Sequence, residues 1–160
     1  MAEQGTASSH SHSSSAGWPR PAPADPCPCG RPAATGKGKV RAFGDCCGRF
    51  VGPMADGGLG VPDAESLMRS RYTAFVLGDA DYLLATWHAD TRPDTLALDP
   101  AQQWLGLQVK AHLPIDATHA EVAFVARSRD ATGRASRLVE HSRFVREGGR
   151  WYYVDGRLGG

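Results

Sequence analysis

The sequence predicts an α+β fold. Helical periodicity comes first, over residues 63–88. Alternating, strand-like patterns follow between residues 105 and 154, and Glu147-Gly148-Gly149 marks a hairpin turn between the last two. Helices ahead of antiparallel strands are the mark of this class.

The first helix is predicted to start after Asp63, an N-cap following Pro62, and to stop at Gly78. Its apolar stripe is Ala64, Leu67, Met68, Tyr72 and Phe75. At about 100° per residue, Leu67, Arg71 and Phe75 fall on one line, which places a guanidinium inside that stripe. Arg69 points elsewhere, toward solvent. A second helix runs from Asp79 to about His88, with Ala80, Leu83, Leu84 and Trp87 as its stripe. Asp99-Pro100 pairs an N-cap with a first-turn proline and opens one short turn. In the strands, Leu105, Leu107 and Val109 share one face, and so do Val122, Phe124 and Ala126. Arg137–Arg146 and Arg150–Val154 form the closing hairpin.

The chain has 160 residues and 41% hydrophobic content, enough for one ordinary domain with small additions. A formal net charge of +1 creates no global field toward DNA or an anionic membrane, and neither is expected as a partner. No apolar run spans a bilayer, and the first residues, MAEQGTASSHSHSSS, lack the apolar core of an export signal. The expected compartment is therefore the cytoplasm. Residues 1–25, rich in Ser, Ala, Pro and His, read as a disordered tail in which His10 and His12 are solvated. Residues 26–50 hold all the cysteines. Residues 51–62, VGPMADGGLGVP, read as a linker, and residues 63–158 form the second unit.

The cysteines stand as Cys27-Pro28-Cys29-Gly30 and Cys46-Cys47-Gly48, with sixteen residues between Cys29 and Cys46. Two such pairs supply four thiolates to one tetrahedral zinc, a closed shell with no open catalytic position. A segment this short has no core of its own, so metal binding would supply its folding energy. Disulfides are disfavoured without an export signal, and a redox pair is disfavoured because neither pair has Cys-x-x-Cys spacing. An iron–sulfur cluster stays open as an alternative.

CPCG…FGDCCG, with Phe43 just ahead of the second pair, resembles the SEC-C motif, a small zinc-binding module found at the C-terminus of the SecA ATPase and in many bacterial proteins. Two departures stand out. The usual Gly-Ser-Gly is replaced by Gly30-Arg31-Pro32, and Ala33 to Arg41 enlarges the loop between the pairs. Loop-closure entropy grows slowly with length, so ligation should survive the insertion.

The strings AESLMRSRYTAFVLGDADYLLATWH, WLGL and EHSRFVREGGRWYYVDG resemble the YchJ family, bacterial SEC-C proteins of uncharacterised function. The resemblance implies a second domain similar to the NTF2-like fold. The full expectation is an α+β, NTF2-like cone, its helices packed in a bent antiparallel sheet, preceded by a small SEC-C zinc knuckle. SEC-C modules in SecA-like proteins engage partners such as a chaperone or the ribosome. The resemblance thus implies a protein or ribosome partner through the knuckle, and it admits a homodimer through the open sheet face.

Two functional expectations follow. In the first, the chain is an accessory protein with structural zinc (Zn) on Cys27, Cys29, Cys46 and Cys47; Arg31, Lys37, Lys39, Arg41 and Arg49 are candidate contacts to an acidic partner or RNA, with ordinary solvated charge as the simpler reading of them. In the second, it is an enzyme or small-ligand binder with a polar pocket built from Arg71, Tyr72, His88, Glu140 and Asp155. Arg71 needs acceptors if buried, and Glu140 and Asp155 on the last hairpin are the candidate partners. The simpler reading of that group is a structural ion pair between helix and sheet.

Overall fold

The computed structural model describes Trp18, residues 20–52 and residues 55–159. Most of the expected tail, with His10 and His12, lies outside the described residues, as do Pro53 and Met54 of the expected linker. Helix α1 spans Ala64–Leu77 and α2 spans Ala80–Ala85. Strands β1 (Gln103–Pro114), β2 (His119–Arg129), β3 (Ala135–Glu147) and β4 (Arg150–Leu158) follow. They pair in the order β1-β2-β3-β4, each antiparallel to the next. No helix among the described residues is long and apolar enough to cross a membrane.

Local chemistry sets the element ends. The Asp63 carboxylate accepts from the Ser66 amide at 2.8 Å, which satisfies one of the free donors of the first turn. Gly78 closes α1 in the left-handed region. Asp79 caps α2 through the Tyr82 amide, but α2 ends at Ala85, short of His88. The chain leaves the helix there because Thr86–His88 pairs with β4: Tyr153 N–H donates to Thr86 and His88 N–H donates to Tyr153, each at 2.8 Å. Asp99 organises a turn, accepting from the Ala101 amide. Gly148 and Gly149 both have positive φ, and Glu147 pairs with Arg150, so the β3–β4 turn is of the two-residue, mirror-image type that matches strand twist.

Three irregularities bend the sheet and reset which side chains face inward. The register of β1 shifts between Trp104 and Gly106 and again between Val109 and Ala111. Leu105 is the extra residue of the first shift. It is exposed, whereas Trp104, Leu107 and Val109 pack on the core, so the simple alternation expected for Leu105 fails there. A third shift, between Arg143 and Phe144, leaves Val154 as the extra residue of β4.

The expected architecture is corrected in two respects. The expected cone of helices packed in a sheet is not what forms: helix is confined to α1 and the single short α2, beside a four-stranded antiparallel sheet in simple order. Nor does the cysteine segment stand ahead of the domain as a separate knuckle. Its cysteines, Phe43, Phe50 and Val51 belong to one buried cluster with Leu67, Leu83, Val122 and Phe144. A segment with so few apolar side chains gains little by closing on itself, and α1 offers it a second face. Consequently α1 is buried nearly all round, between the sheet and the cysteine segment. Residues just before the cysteines dock as well, with Gly44 N–H donating to Pro23 and Phe43 N–H to Asp25.

Candidate metal centre

Cys27 and Cys29 sit on a tight turn in which Gly30 N–H returns to the Cys27 carbonyl at 3.0 Å. Cys46 and Cys47 lie where two short 3₁₀ turns, Phe43–Asp45 and Cys47–Arg49, meet. Gly48 is required there by close approach: a Cβ would stand 2.6 Å from the Phe43 carbonyl oxygen. The inserted residues form a short ribbon, with Arg41 N–H donating to Arg31 and Ala33 N–H to Lys39. The enlarged loop therefore extends away from the sulfurs and leaves both pairs free to converge.

They do converge. All four cysteines are buried, none is in a disulfide, and their sulfurs lie within 4.8 Å of one another. The Cys29 and Cys46 sulfurs are 3.7 Å apart. Four sulfurs at about 2.3 Å from a central zinc would be about 3.8 Å apart, so the donor set fits a tetrahedral thiolate site. Crowding couples the four thiols. The Cys29 thiol pulls Cys27 far below the ordinary thiol value, and the same contact pushes Cys29 up. Cys47 is pushed up, first by Cys27. Cys46 feels an upward push from Cys27 that Cys29 and Cys47 outweigh, bringing it to about 7. Four sulfurs this close cannot all ionise unaided; a divalent cation would let them do so.

Sequence reasoning missed the residue that faces this cluster from α1. Arg69, expected in solvent, is only 8% exposed. Its guanidinium donates to the Cys29 carbonyl at 3.1 Å, stands 3.9 Å from the Cys29 sulfur and pairs with Glu65 at 2.9 Å. Burial opposes the Arg69 charge, and Glu65 together with Cys29 outweighs that opposition. Thr73, one turn further along α1, places its hydroxyl 4.0 Å from the Cys27 sulfur. Arg31 donates to the Ser66 hydroxyl at 3.0 Å and ties the first cysteine turn to the helix. The legible clue was the i, i+4 spacing of Glu65 and Arg69, which keeps a guanidinium paired when its face is covered.

The second group of candidate residues divides. Arg71, Tyr72 and Glu140 line one cavity between α1 and the inner face of the sheet. Arg71 is buried but makes no ion pair with Glu140 or Asp155. It donates to the Leu83 carbonyl at 2.8 Å and the Thr86 hydroxyl at 2.7 Å, and it lies over the rings of Tyr153 and Trp87. Burial brings it down to about 10, so it remains charged at neutral pH. Burial likewise raises Tyr72 to about 12. Asp155 is on the other face of the sheet, paired with Arg143 through two contacts of 2.7 and 2.6 Å. The extra residue Val154 flips its parity relative to Trp151 and Tyr153. His88 lies beyond α2, pairs with the Glu147 carboxylate at 2.9 Å and lines a separate hollow beside His119.

Residues 63–156 match the family described as "YchJ, middle NTF2-like domain". A UPF0225 protein of Polaromonas is 60% identical over 119 residues, covering 74% of this chain and 84% of the relative. A UPF0225 protein of Bordetella parapertussis is 60% identical over 129 residues, covering 79% and 94%. Two solved structures of SEC-C motif proteins are similar. One, from Rhodopseudomonas palustris, has a TM-score of 0.63 at 27% identity and covers 85% of this chain and 100% of its own. The other, from Psychrobacter arcticus, has a TM-score of 0.65 at 28% identity and covers 86% and 85%. The matched unit is described as a middle domain, in agreement with a joint fold in place of a cone with a knuckle in front. The chain belongs to the YchJ (UPF0225) family of SEC-C motif proteins, with an NTF2-like domain over residues 63–156.

Proposed function

We propose that Cys27, Cys29, Cys46 and Cys47 hold one structural zinc ion, and that the segment it organises is the docking surface of an accessory protein. The observation that carries this reading is the convergence of four buried sulfurs within 4.8 Å of one another, with no further His, Asp or Glu in the group among the described residues. Zinc would contribute folding energy and no reaction step, because four thiolates close its shell. The donor set suits zinc, which needs only tetrahedral thiolates.

The docking half of the proposal rests on what the segment leaves outside. Lys37 and Lys39 are exposed on the ribbon between the cysteine pairs, next to a partly exposed Val40, with Arg41 at its base. A basic, partly apolar edge held rigid by a metal suits an acidic protein surface or ribosomal RNA. Sedimentation with purified bacterial ribosomes, in parallel for wild type and the double variant Lys37→Glu/Lys39→Glu, tests it. Co-sedimentation that weakens with salt and is lost in the variant supports the ribosome as partner. Equal sedimentation of both proteins, or none by either, removes the ribosomal version.

A further inference from the structure

We propose that the outer face of the sheet, at the end where β2 turns into β3, is a contact surface for duplex RNA, met through its phosphates and 2′-hydroxyls. The surface is on the side of the sheet turned away from α1. It depends neither on the zinc reading nor on the ribbon between the cysteine pairs.

Parity fixes the face. Phe124, Ala126, Leu138 and Glu140 line the cavity against α1, so the residues between and just beyond them on β2 and β3 point the other way. Arg127 stands directly opposite Arg137 across the β2–β3 ladder, and Arg129 follows two residues along β2. Residues opposite one another on a ladder are about 5 Å apart, and same-face neighbours along a strand about 7 Å. All three side chains are exposed. Three guanidinium groups therefore share one small area.

The chain does not neutralise them. Among the described residues none of the three forms an ion pair. The carboxylates of this face and its turn are committed elsewhere: Glu121 to His141, Asp155 to Arg143, and Asp130 to the amides of Thr132 and Arg134. Like charges placed directly opposite one another weaken a sheet. A local conflict of that kind, with no compensating contact inside the chain, points to an external anion.

The neighbouring positions define the anion. Gly106 stands opposite Arg127 on β1, and a Cβ there would meet nothing within 4 Å, so the face is open to a large partner. Gln103 and Gln108 stand opposite Arg129 and Val125, and both are exposed. A guanidinium matches phosphate oxygens, and a side-chain amide both donates and accepts, as a 2′-hydroxyl does. The positions around the arginines hold Gly106, Val125, Ala135 and Val139, with no ring on which unpaired bases could stack. Charge and amides without a stacking platform suit a duplex, whose wide, shallow minor groove shows 2′-hydroxyls between two rows of phosphates. An acidic protein fits less well. Val125 is sealed, and Leu105 is a single exposed apolar side chain, short of the anchored cluster on which a protein interface centres.

The test is fluorescence anisotropy of the full-length protein with a labelled RNA duplex of about 16 base pairs, long enough to span two minor grooves. The same sequence as a DNA duplex, and poly-glutamate as competitor, complete the set. Naked duplex in place of ribosomes keeps this test separate from the ribosomal one. The expected result is saturable binding at low salt, at least about fivefold tighter for RNA than for DNA, as one or two hydrogen bonds to 2′-hydroxyls imply. The logarithm of affinity should fall with the logarithm of salt with a slope of about −3, as three phosphate contacts imply. Arg127→Gln/Arg137→Gln should weaken binding at least about tenfold and flatten that slope by about 2. The same variant should melt no lower than wild type, because it removes a repulsion, so its loss of binding is readable as loss of contact. Gln103→Ala/Gln108→Ala should erase the preference for RNA and keep the slope, and Lys37→Glu/Lys39→Glu should leave duplex binding unchanged. Absence of saturable binding overturns the proposal, as does binding unaltered in Arg127→Gln/Arg137→Gln. Equal affinity for the DNA duplex, or displacement by poly-glutamate as effective as by unlabelled RNA, overturns it too. So does a wild-type dimer in analytical ultracentrifugation that Arg127→Gln/Arg137→Gln separates, which would make a second copy the occupant.

Discussion

Arg69 and Cys29 are forty residues apart in sequence and touch twice, through a guanidinium-to-carbonyl hydrogen bond of 3.1 Å and an approach of 3.9 Å to the sulfur. A divalent metal held by four thiolates would be a net negative centre, and a buried cation from α1 stands against the sulfurs that would hold it. The helix of the NTF2-like domain therefore completes the surroundings of the cysteine cluster. Replacing Arg69 by Leu removes this cation while keeping bulk. Partners that support a metal ligand are worth about 10–100-fold in metal affinity. Competition with a chromogenic chelator should show a loss of that order in Arg69→Leu and a smaller one in Arg69→Lys; unchanged affinity would show that Arg69 only packs.

Gly48 supports the same site sterically. An added Cβ would collide with backbone, the Phe43 carbonyl, which cannot swing aside as a side chain would. Gly48→Ala is expected to cost about 1–3 kcal/mol by overpacking. Chelator-induced metal loss should also become faster, because the Cys46-Cys47 turn must shift. Thermal melts with and without chelator read both effects.

The Asp63 cap lies at the start of the helix that bears Arg69. Asp63→Ala should destabilise the protein by about 1 kcal/mol, as loss of an N-cap does. Urea unfolding should show a lower midpoint with an unchanged slope.

Arg143 and Asp155 give a pH signature. Arg143 holds the Asp155 carboxyl below its ordinary value. A depressed folded value means the stabilisation is present above the unfolded carboxylate value, about 3.9, and is lost as pH falls through the folded one. The pair is exposed, so its worth is about 0.5 kcal/mol or less. Arg143→Ala should lower stability slightly near neutral pH, and the difference should shrink toward zero in acid, measured by urea unfolding at both ends.

Much of this was legible in the residues themselves. Asp63 and Gly78 bracket α1 because capping and left-handed φ are local properties of those side chains. Arg71 could be placed inward because helical spacing is regular over so short a distance. The errors arose where one strand gained a residue or a distant segment covered a face. Asp155 stood as a candidate partner of Arg71, and the extra residue Val154 turns it away; Leu105 was expected to share a face with Leu107 and Val109, and the first shift of β1 separates it from them. No local pattern announces an extra residue, which is set by strand pairing and curvature. Arg69 looked solvated because its face of α1 lies off the apolar stripe, yet that face receives the cysteine segment. Trp87 was readable as an apolar-stripe aromatic, but its parallel bridge to Tyr153 of β4 is a long-range pairing that no local pattern announces.

Metal content of the purified full-length protein, measured by mass spectrometry for wild type and Cys47→Ser, tests the central claim most directly. One zinc per chain in the wild type, and loss of that zinc with lowered thermal stability in Cys47→Ser, is the expected result. A wild-type protein that is folded without metal or that holds iron, or zinc fully retained in Cys47→Ser, would contradict it.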